Sequence, residues 1–341
     1  MSSRSLGCPS EHELLAVATG RTSLAAQPAL QGHIVMCSAC RSALASLVRT
    51  DRRDGGTTRD GAVIGGRYVL VRSIGSGAGG VVWEARDERS GGGAVALKIM
   101  RSLSCDAAER SARRQRLEAR VTSALRHPNI VPVLDVLEEN DDRGIVLVMP
   151  VLRGETLDAV FRRERALSVE RAVAIFVPVL DALAYAHALG VVHRDLKPQN
   201  VFLSEHGVRV LDFGLAKLLA DASIAPSSLV THTGELLGTP RYMAPEQIFG
   251  ERDVDQRVDV WAAAALVYRA FHGEAPIAAR SLGETMKALA RGKVVPLREC
   301  APHVPSAIAD AVMRALVTDR AARVGSVIPL RDALAAHPPR I

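Results

Sequence analysis

The part of the chain that decides its fold is Val192-His193-Arg194-Asp195-Leu196-Lys197-Pro198-Gln199-Asn200, followed by Asp212-Phe213-Gly214. These two stretches bring two acids, a lysine and an amide close together in the sequence, with a proline and a glycine between them. Such groups can hold the metal ions of a nucleotide and position a hydroxyl against a phosphate. The stretch therefore predicts a centre for phosphoryl transfer.

A glycine-rich hairpin is predicted well upstream of this centre. Residues 68–74 have the pattern of a strand that runs into Gly75, Gly77 and Gly80, and residues 83–85 have the pattern of the return strand. A Gly-x-Gly-x-x-Gly motif alone is weak evidence, because it also opens dinucleotide-binding folds. Here a second strand rather than a helix follows the glycines. This order favours a hairpin whose backbone approaches phosphates closely.

An apolar strand with a single lysine, Lys98, is predicted over residues 94–100. A lysine in a buried strand needs an anionic partner. The arginine-rich helix predicted over residues 107–125 carries two candidates, Glu109 and Glu118. A lone lysine or glutamate is ordinarily a surface charge, but the neighbouring glycine hairpin favours a nucleotide-binding role.

Together these motifs resemble the eukaryotic-type (Hanks-type) serine/threonine protein kinases of bacteria, over roughly residues 66–338. The resemblance implies an α+β bilobal fold, with a β-rich N-lobe and an α-helical C-lobe. It implies ATP and Mg²⁺ as cofactors and protein substrates that carry serine or threonine. Lys197 supports this acceptor class, because kinases of this class share the Asp-Leu-Lys-Pro sequence found at residues 195–198.

The resemblance also implies roles for individual residues. Asp195 would accept the proton of the substrate hydroxyl, Lys197 would neutralise charge on the transferring group, and Asn200 and Asp212 would hold Mg²⁺. Glu118 would pair with Lys98. The residues implied for ATP binding are Ile74, Gly75, Gly77, Gly80, Val82, Lys98, Glu118, Met149 and Leu152. Val82 would cover the adenine, with Met149 as gatekeeper and Leu152 in the hinge.

Structural and substrate-loop roles are implied for Arg194, Thr239, Glu246, Asp259 and Arg323. Glu246 and Arg323 would form a buried bridge, and Asp259 would hold the backbone of the catalytic loop. Thr239 would bond to the catalytic aspartate and lysine.

A polar segment between Asp212 and Glu246 contains Thr231 and Thr233. An arginine before the catalytic aspartate, here Arg194, can pair with a phosphorylated loop residue. We expect autophosphorylation at Thr231 or Thr233; the alternative is that these threonines are simply solvated.

The first fifty residues have a different pattern. Residues 10–13 form a capping box that begins a helix ending at Gly20, and a second helix begins near Pro28 and ends near Arg49. Residues 51–65 are rich in charges, threonines and glycines and predict a linker. The expected organisation is a helical module at 1–50, a linker at 51–65 and a kinase domain at 66–338.

His33, Cys37 and Cys40 lie at positions i, i+4 and i+7 of the second predicted helix and therefore share one face. With Cys8, or alternatively His12, they would form a tetrahedral zinc site, and the spacing resembles the zinc-binding anti-sigma family. One alternative is an apolar stripe in which cysteine acts as a small hydrophobe. The other is a redox role for the two helical cysteines.

Composition restricts the remaining functions. The 341-residue chain is 48% hydrophobic and 23% charged, and its net charge of +6 comes largely from scattered arginines, which favours a solvated surface over nucleic-acid binding. Five irregularly spaced cysteines indicate a reducing compartment, and Cys105 and Cys300 have no predicted role. With neither a signal core nor a membrane-length apolar run in the sequence, we expect a cytoplasmic protein without a membrane span.

Two other functions compete with an active protein kinase. A pseudokinase scaffold would bind partners without transferring phosphate, but every polar position that the resemblance requires is present. A small-molecule phosphotransferase would use similar chemistry, whereas Thr239 and the Ala-Pro-Glu segment at residues 244–246 favour a protein substrate. The N-terminal module is a candidate site for a partner protein.

Overall fold

The computed structural model divides the chain into two compact units, Met1–Ala62 and Val63–Ile341. The described residues are 30, 33, 37 and 40 individually, followed by 60–77, 80–100, 123–138, 145–213, 240–251, 253–277, 282–290, 292 and 294–338. In the first unit, Leu30, His33 and Cys40 are helical. The capping box at residues 10–13, the first predicted helix and most of the predicted linker lie outside the described residues.

The second unit begins with an antiparallel sheet of six described strands. These are β1 (Val63–Ile64), β2 (Tyr68–Gly77), β3 (Gly80–Asp87), β4 (Gly93–Ile99), β5 (Asp135–Glu138) and β6 (Ile145–Pro150), in the order β1-β2-β3-β4-β6-β5. Strand β1 falls within the sequence range expected as a linker and pairs with β2. The glycine hairpin predicted from the sequence is confirmed as β2 and β3.

Gly80 shows why the β2–β3 hairpin needs glycine. Its φ is +126°, and a Cβ atom at this position would lie 2.1 Å from the carbonyl oxygen of Ile99. Any other residue would clash with the backbone of β4 and adopt a strained conformation. The pairing of β3 with β4 places Val82 opposite Lys98, so the hairpin and the lysine strand share one register.

The C-terminal part of this unit is mainly helical. Its described helices are α1 (Leu157–Arg163), α2 (Val169–Ala188), α3 (Pro245–Ile248), α4 (Arg257–His272), α5 (Leu282–Ala290), α6 (Leu297–Cys300), α7 (Ser306–Ala315) and α8 (Ile328–Ala335). Helix α4 is buried along most of its length and forms the centre of the core. The β-rich and helical halves confirm the expected α+β bilobal architecture. Within the described residues, no helix combines the length and apolar character that crossing a bilayer requires.

Helix α2 begins after Ser168, a residue type that is favoured at helix N-termini. The Ser168 side chain accepts a hydrogen bond from the backbone N–H of Arg171, which caps the helix. The helix continues through Pro178, although a proline inside a helix usually interrupts or kinks it. Proline removes one backbone bond, but the buried face of this 20-residue helix supplies apolar packing on both sides of it.

A small three-stranded sheet lies in the second lobe and consists of β7 (Gly154–Thr156), β8 (Val201–Ser204) and β9 (Gly207–Val210). Residues 129–131, which precede β5, are hydrogen-bonded to strand β9 of this small sheet. Val210 donates its N–H to the carbonyl of Asn129 at 2.7 Å and accepts from the N–H of Val131 at 3.1 Å. The Asn129 side chain also donates to the carbonyl of Val208 at 2.9 Å. We call residues 129–131 the interlobe clamp.

Candidate active site

The segment between α2 and β8 brings Asp195, Lys197 and Asn200 together. Lys197 Nζ donates to Asp195 Oδ2 at 2.7 Å. Asn200 Nδ2 donates to the carbonyl of Asp195 at 2.8 Å and to its Oδ2 at 3.3 Å. Two side chains thus hold the Asp195 carboxylate. Because the side chain is still 32% exposed, a ligand can reach it. This geometry suits a group that must orient an incoming hydroxyl.

Asp212 connects this segment to the sheet. Its Oδ1 lies 2.7 Å from Nζ of Lys98, a buried lysine on β4. Asp212 has a φ of +59°, and the preceding Leu211 donates its N–H to the carbonyl of Asn200 at 2.9 Å. A non-glycine residue with positive φ is uncommon and concentrates at functional sites. Asp212 therefore contacts the sheet through Lys98, and its neighbour Leu211 is bonded to the second lobe through Asn200.

Asp212 and Asn200 both offer oxygen atoms suited to Mg²⁺. The amide nitrogen of Asn200 is committed to Asp195, which leaves the amide oxygen as the group able to bind a cation. Asp212 uses one carboxylate oxygen for Lys98 and has a second. Mg²⁺ is bound in proteins through a few such oxygens together with water and substrate phosphates. The donor set of these two residues fits the ion.

His193 joins the catalytic segment to the residues around Asp212. Its Nε2 donates to the carbonyl of Leu211 at 2.9 Å, and its Nδ1 accepts from the N–H of Asp195 at 3.2 Å. These two bonds require the neutral imidazole with its proton on Nε2. The ring also packs on Phe213, with centroids 4.7 Å apart. One buried side chain thus fixes both acidic residues relative to each other.

Asp259 on α4 anchors the backbone of the segment that carries Asp195. Its carboxylate accepts from the N–H groups of His193 and Arg194, both at 2.8 Å, and lies 2.7 Å from Nε2 of His187. Burial alone would raise the pKa of Asp259, but the bonds from His187 and His193 lower it below its ordinary value. The ionised carboxylate can only accept, so His187 donates. Arg194 has a φ of +67°, which these bonds help to maintain.

The segment after residue 239 is anchored by a buried ion pair. Arg323 contacts Glu246 through two hydrogen bonds of 2.7 and 2.9 Å, and the guanidinium carbon lies 5.0 Å from the centre of the Trp261 ring. Gln247 accepts from the N–H of Ala244 at 3.2 Å and donates to the carbonyl of Arg194 at 2.7 Å. This segment is therefore fixed both to the core and to the catalytic loop.

The sequence-predicted residues of the adenine side lie on neighbouring elements. Ile74 and Gly75 are on β2, Val82 is on β3, and Met149 is near the end of β6. Leu152 follows in the connection to β7. The other predicted positions fall into two groups. Gly77 and Gly80 belong to the hairpin, whereas Glu118, Thr231, Thr233 and Thr239 lie outside the described residues.

Three functional contacts were not predicted from the sequence. His187 bonds to Asp259, Gln247 bonds to the carbonyl of Arg194, and Gln199 donates to Asp158 Oδ1 at 2.8 Å. No local pattern marks these residues, because each partner is distant in the sequence. Only the fold brings them together.

A separate cluster lies in the first unit. The ligand atoms of His33, Cys37 and Cys40 are all within 4.8 Å of one another. Cys40 is buried, and the buried Nε2 of His33 has no hydrogen-bond partner within the described part of the chain. A buried imidazole nitrogen normally has a partner. Two thiols and an orphaned imidazole in this arrangement fit a zinc ion. The fourth predicted ligand, Cys8, and its alternative His12 lie outside the described residues.

Comparisons with known proteins agree with this geometry. Residues 68–333 match the family model described as "Protein kinase domain". The chain is 38% identical over 292 residues to the serine/threonine-protein kinase PknA of Mycobacterium tuberculosis, which covers 83% of this chain and 65% of that protein. It is 35% identical over 283 residues to the serine/threonine-protein kinase pkn2 of Myxococcus xanthus, covering 81% of this chain and 33% of that protein.

A third similar protein is the probable serine/threonine-protein kinase CPE1738 of Clostridium perfringens, 33% identical over 260 residues, which is 76% of this chain and 36% of that protein. The chain thus spans less than two thirds of the length of each of these relatives. The family match covers both lobes and the candidate site residues from Ile74 to Arg323. This chain belongs to the protein kinase domain family, and its relatives include serine/threonine kinases of bacteria.

Proposed function

We propose that this chain is an ATP-dependent serine/threonine protein kinase that transfers the γ-phosphate of ATP to serine or threonine of protein substrates. The observation that carries the proposal is the 2.7 Å contact between Lys98 and Asp212, next to the cluster of Asp195, Lys197 and Asn200. A lysine from one lobe and an acid from the other meet beside the candidate base. The names of the relatives support the same activity.

Each residue has a defined task in this proposal. Asp195 aligns the substrate hydroxyl and accepts its proton, while Lys197 offsets charge on the transferring group. Asn200 and Asp212 hold Mg²⁺, which when bound neutralises charge on the phosphates. Lys98 contacts the phosphates and keeps Asp212 in place, and Glu118 is the proposed partner of this lysine. Thr239 is proposed to bond to the Asp195–Lys197 pair.

The direct test is transfer of labelled phosphate from ATP to a protein or peptide acceptor, with and without Mg²⁺, followed by phosphoamino acid analysis. We expect Mg²⁺-dependent label on serine or threonine. ATP binding without transfer would instead support a pseudokinase scaffold. Label only on a small molecule would support a small-molecule phosphotransferase.

Autophosphorylation at Thr231 or Thr233 is the second expected result. Arg194 lies beside the catalytic aspartate, where a phosphorylated threonine can pair with it. Mass spectrometry of the wild type, produced in a host without other such kinases, should find phosphate at one of these positions. The Asp195→Asn variant from the same host should lack it. Phosphate remaining unchanged on this variant would exclude autophosphorylation.

We also propose that residues 1–50 form a zinc-binding module in which His33, Cys37, Cys40 and Cys8 hold the ion, and that the module recruits a partner protein. The support is the close approach of three ligand atoms and the orphaned His33 nitrogen. The proposed domains are this module, a linker at residues 51–65 and the kinase domain at residues 66–338. A cytoplasmic location is part of this proposal and follows from the cysteine usage.

Metal content tests the zinc site independently of kinase activity. Full-length protein purified under reducing conditions should contain about one zinc per chain, because three cysteines and a histidine complete a tetrahedral set. Cys37→Ser should reduce the zinc content several-fold. Cys300→Ser, which changes a cysteine beside Tyr268 in the second unit, is the matched control and should retain the metal. Equal zinc content in the two variants would show that the cluster packs as an apolar stripe or acts in redox chemistry.

A further inference from the structure

The surface beside the catalytic loop carries arginines that lack acidic partners. Arg241 lies in the turn Pro240–Tyr242 and Arg269 lies near the end of α4, and the charges of both act on Tyr242. We call these two residues the arginine rim. Neither forms an ion pair within the described part of the chain. Their charges are therefore available to a ligand.

Arg269 is held in place by neutral groups. Its guanidinium donates to the carbonyl of Arg165 at 2.8 Å and to that of Phe161 at 3.2 Å, and it stacks on the Phe161 ring at 4.7 Å. Carbonyls and an aromatic face orient the cation without cancelling its charge. Burial lowers the pKa of Arg269 below its ordinary value. Arg241 is exposed and adds a second positive charge.

The arginine rim is adjacent to the catalytic loop. Helix α4 packs against the turn Pro240–Tyr242, and Gln247, a few residues later, donates to the carbonyl of Arg194. On the other side, α1 packs against the turn Pro198–Asn200. Burial raises the pKa of Tyr242, and the charges of Arg269, Asp158 and Arg241 all act on its hydroxyl. These contacts thus join the rim to the segment that carries Asp195.

Two carboxylates near this surface are already paired, whereas the exposed Glu274 acts on Arg269 and forms no ion pair among the described residues. Asp158 accepts from Gln199 and contacts Arg162, and Glu155 accepts two bonds from Arg163 at 2.6 and 2.8 Å. These acids therefore have little capacity left for a basic substrate. Arg241 and Arg269 outweigh the single unpaired Glu274, so the balance of charge on this surface is positive.

We infer that the arginine rim selects protein substrates that carry an acidic side chain close to the acceptor serine or threonine. This inference rests on the proposed kinase function and adds the substrate class. The partner that fits is a carboxylate, because arginine binds carboxylates through two parallel hydrogen bonds and the rim has donors to spare. A basic residue at the same position would be repelled.

The test is a set of peptides with one acceptor and an acidic, neutral or basic residue placed at each flanking position in turn. We expect the best acidic peptide to have a kcat/KM roughly two- to fivefold above the neutral one, the size of a partly exposed charge contact. The difference should lie mainly in KM and should shrink at high salt. Arg241→Glu should abolish or reverse this preference, and Arg269→Gln should weaken it.

Arg89→Glu is the matched control, because Arg89 is an exposed arginine in the turn between β3 and β4, and it should retain the acidic preference. If acidic and neutral peptides are phosphorylated equally well, the inference fails while the kinase function stands. If no peptide is phosphorylated at all, the proposed function itself fails. If Arg241→Glu alters autophosphorylation but not peptide selectivity, the rim serves the chain's own loop and the inference is overturned.

Discussion

Replacing Asp195 with asparagine is expected to slow phosphoryl transfer by about 10²- to 10⁴-fold, the usual contribution of a general base. The substitution keeps the shape of the side chain and an oxygen for Lys197, which contacts the carboxylate at 2.7 Å. It removes the negative charge that, in the proposed function, accepts the proton of the substrate hydroxyl. The loss should therefore appear in kcat, with little change in the affinity for ATP.

Asp181→Asn is the matched control for this experiment. Asp181 lies on α2, and its side chain, 40% exposed, contacts Arg331 at 3.3 Å. Both variants should unfold near the wild-type temperature, because neither changes the core. If the kcat of Asp195→Asn is within a few-fold of the wild-type value, another group must accept the proton of the substrate hydroxyl.

The second large effect concerns stability. Arg323→Leu is expected to lower the free energy of unfolding by about 3–5 kcal/mol, because it leaves the carboxylate of Glu246 buried without its partner. Both side chains are almost completely buried, at 0% and 2% exposed. Arg323 also donates to the carbonyls of Val317 and Arg257. Urea unfolding followed by tryptophan fluorescence gives the measurement, since Trp261 packs on this guanidinium.

Arg298→Leu provides the control, because Arg298 pairs with Asp310 on the surface with both side chains more than half exposed. Such a pair contributes about 0–1 kcal/mol. The double variant Glu246→Leu, Arg323→Leu should recover part of the lost stability, because it removes the isolated charge. Equal effects of Arg323→Leu and Arg298→Leu would contradict the view that burial makes the bridge important.

The local elements of this fold could be predicted from the sequence because short-range rules determine them. Ser168 caps α2 because its side chain reaches a backbone N–H three residues later. The β2–β3 hairpin follows from glycine spacing and alternating strands. Pro178 shows the limit of such rules, since a helix packed on its buried face continues through a residue that would end an isolated one.

The site was less predictable, because its geometry depends on contacts between distant parts of the chain. The resemblance to kinases supplied the roles of Asp195 and Asp212, but nothing local indicates that Lys98 contacts Asp212 directly. The three bonds accepted by Asp259 join α2, the catalytic loop and α4. The positive φ of Arg194 could not be inferred from its residue type, since arginine normally avoids that region.

The interlobe clamp has a consequence for motion. The chain crosses between the lobes at the hinge after β6, and the clamp adds a second attachment through Asn129, Val131 and Val210. A body fixed at two points can rotate only about the line that joins them. We therefore expect the cleft between the lobes to open by rotation of the sheet about one axis. Amide protons at Val131 and Val210 should exchange slowly with solvent even while the cleft opens and closes.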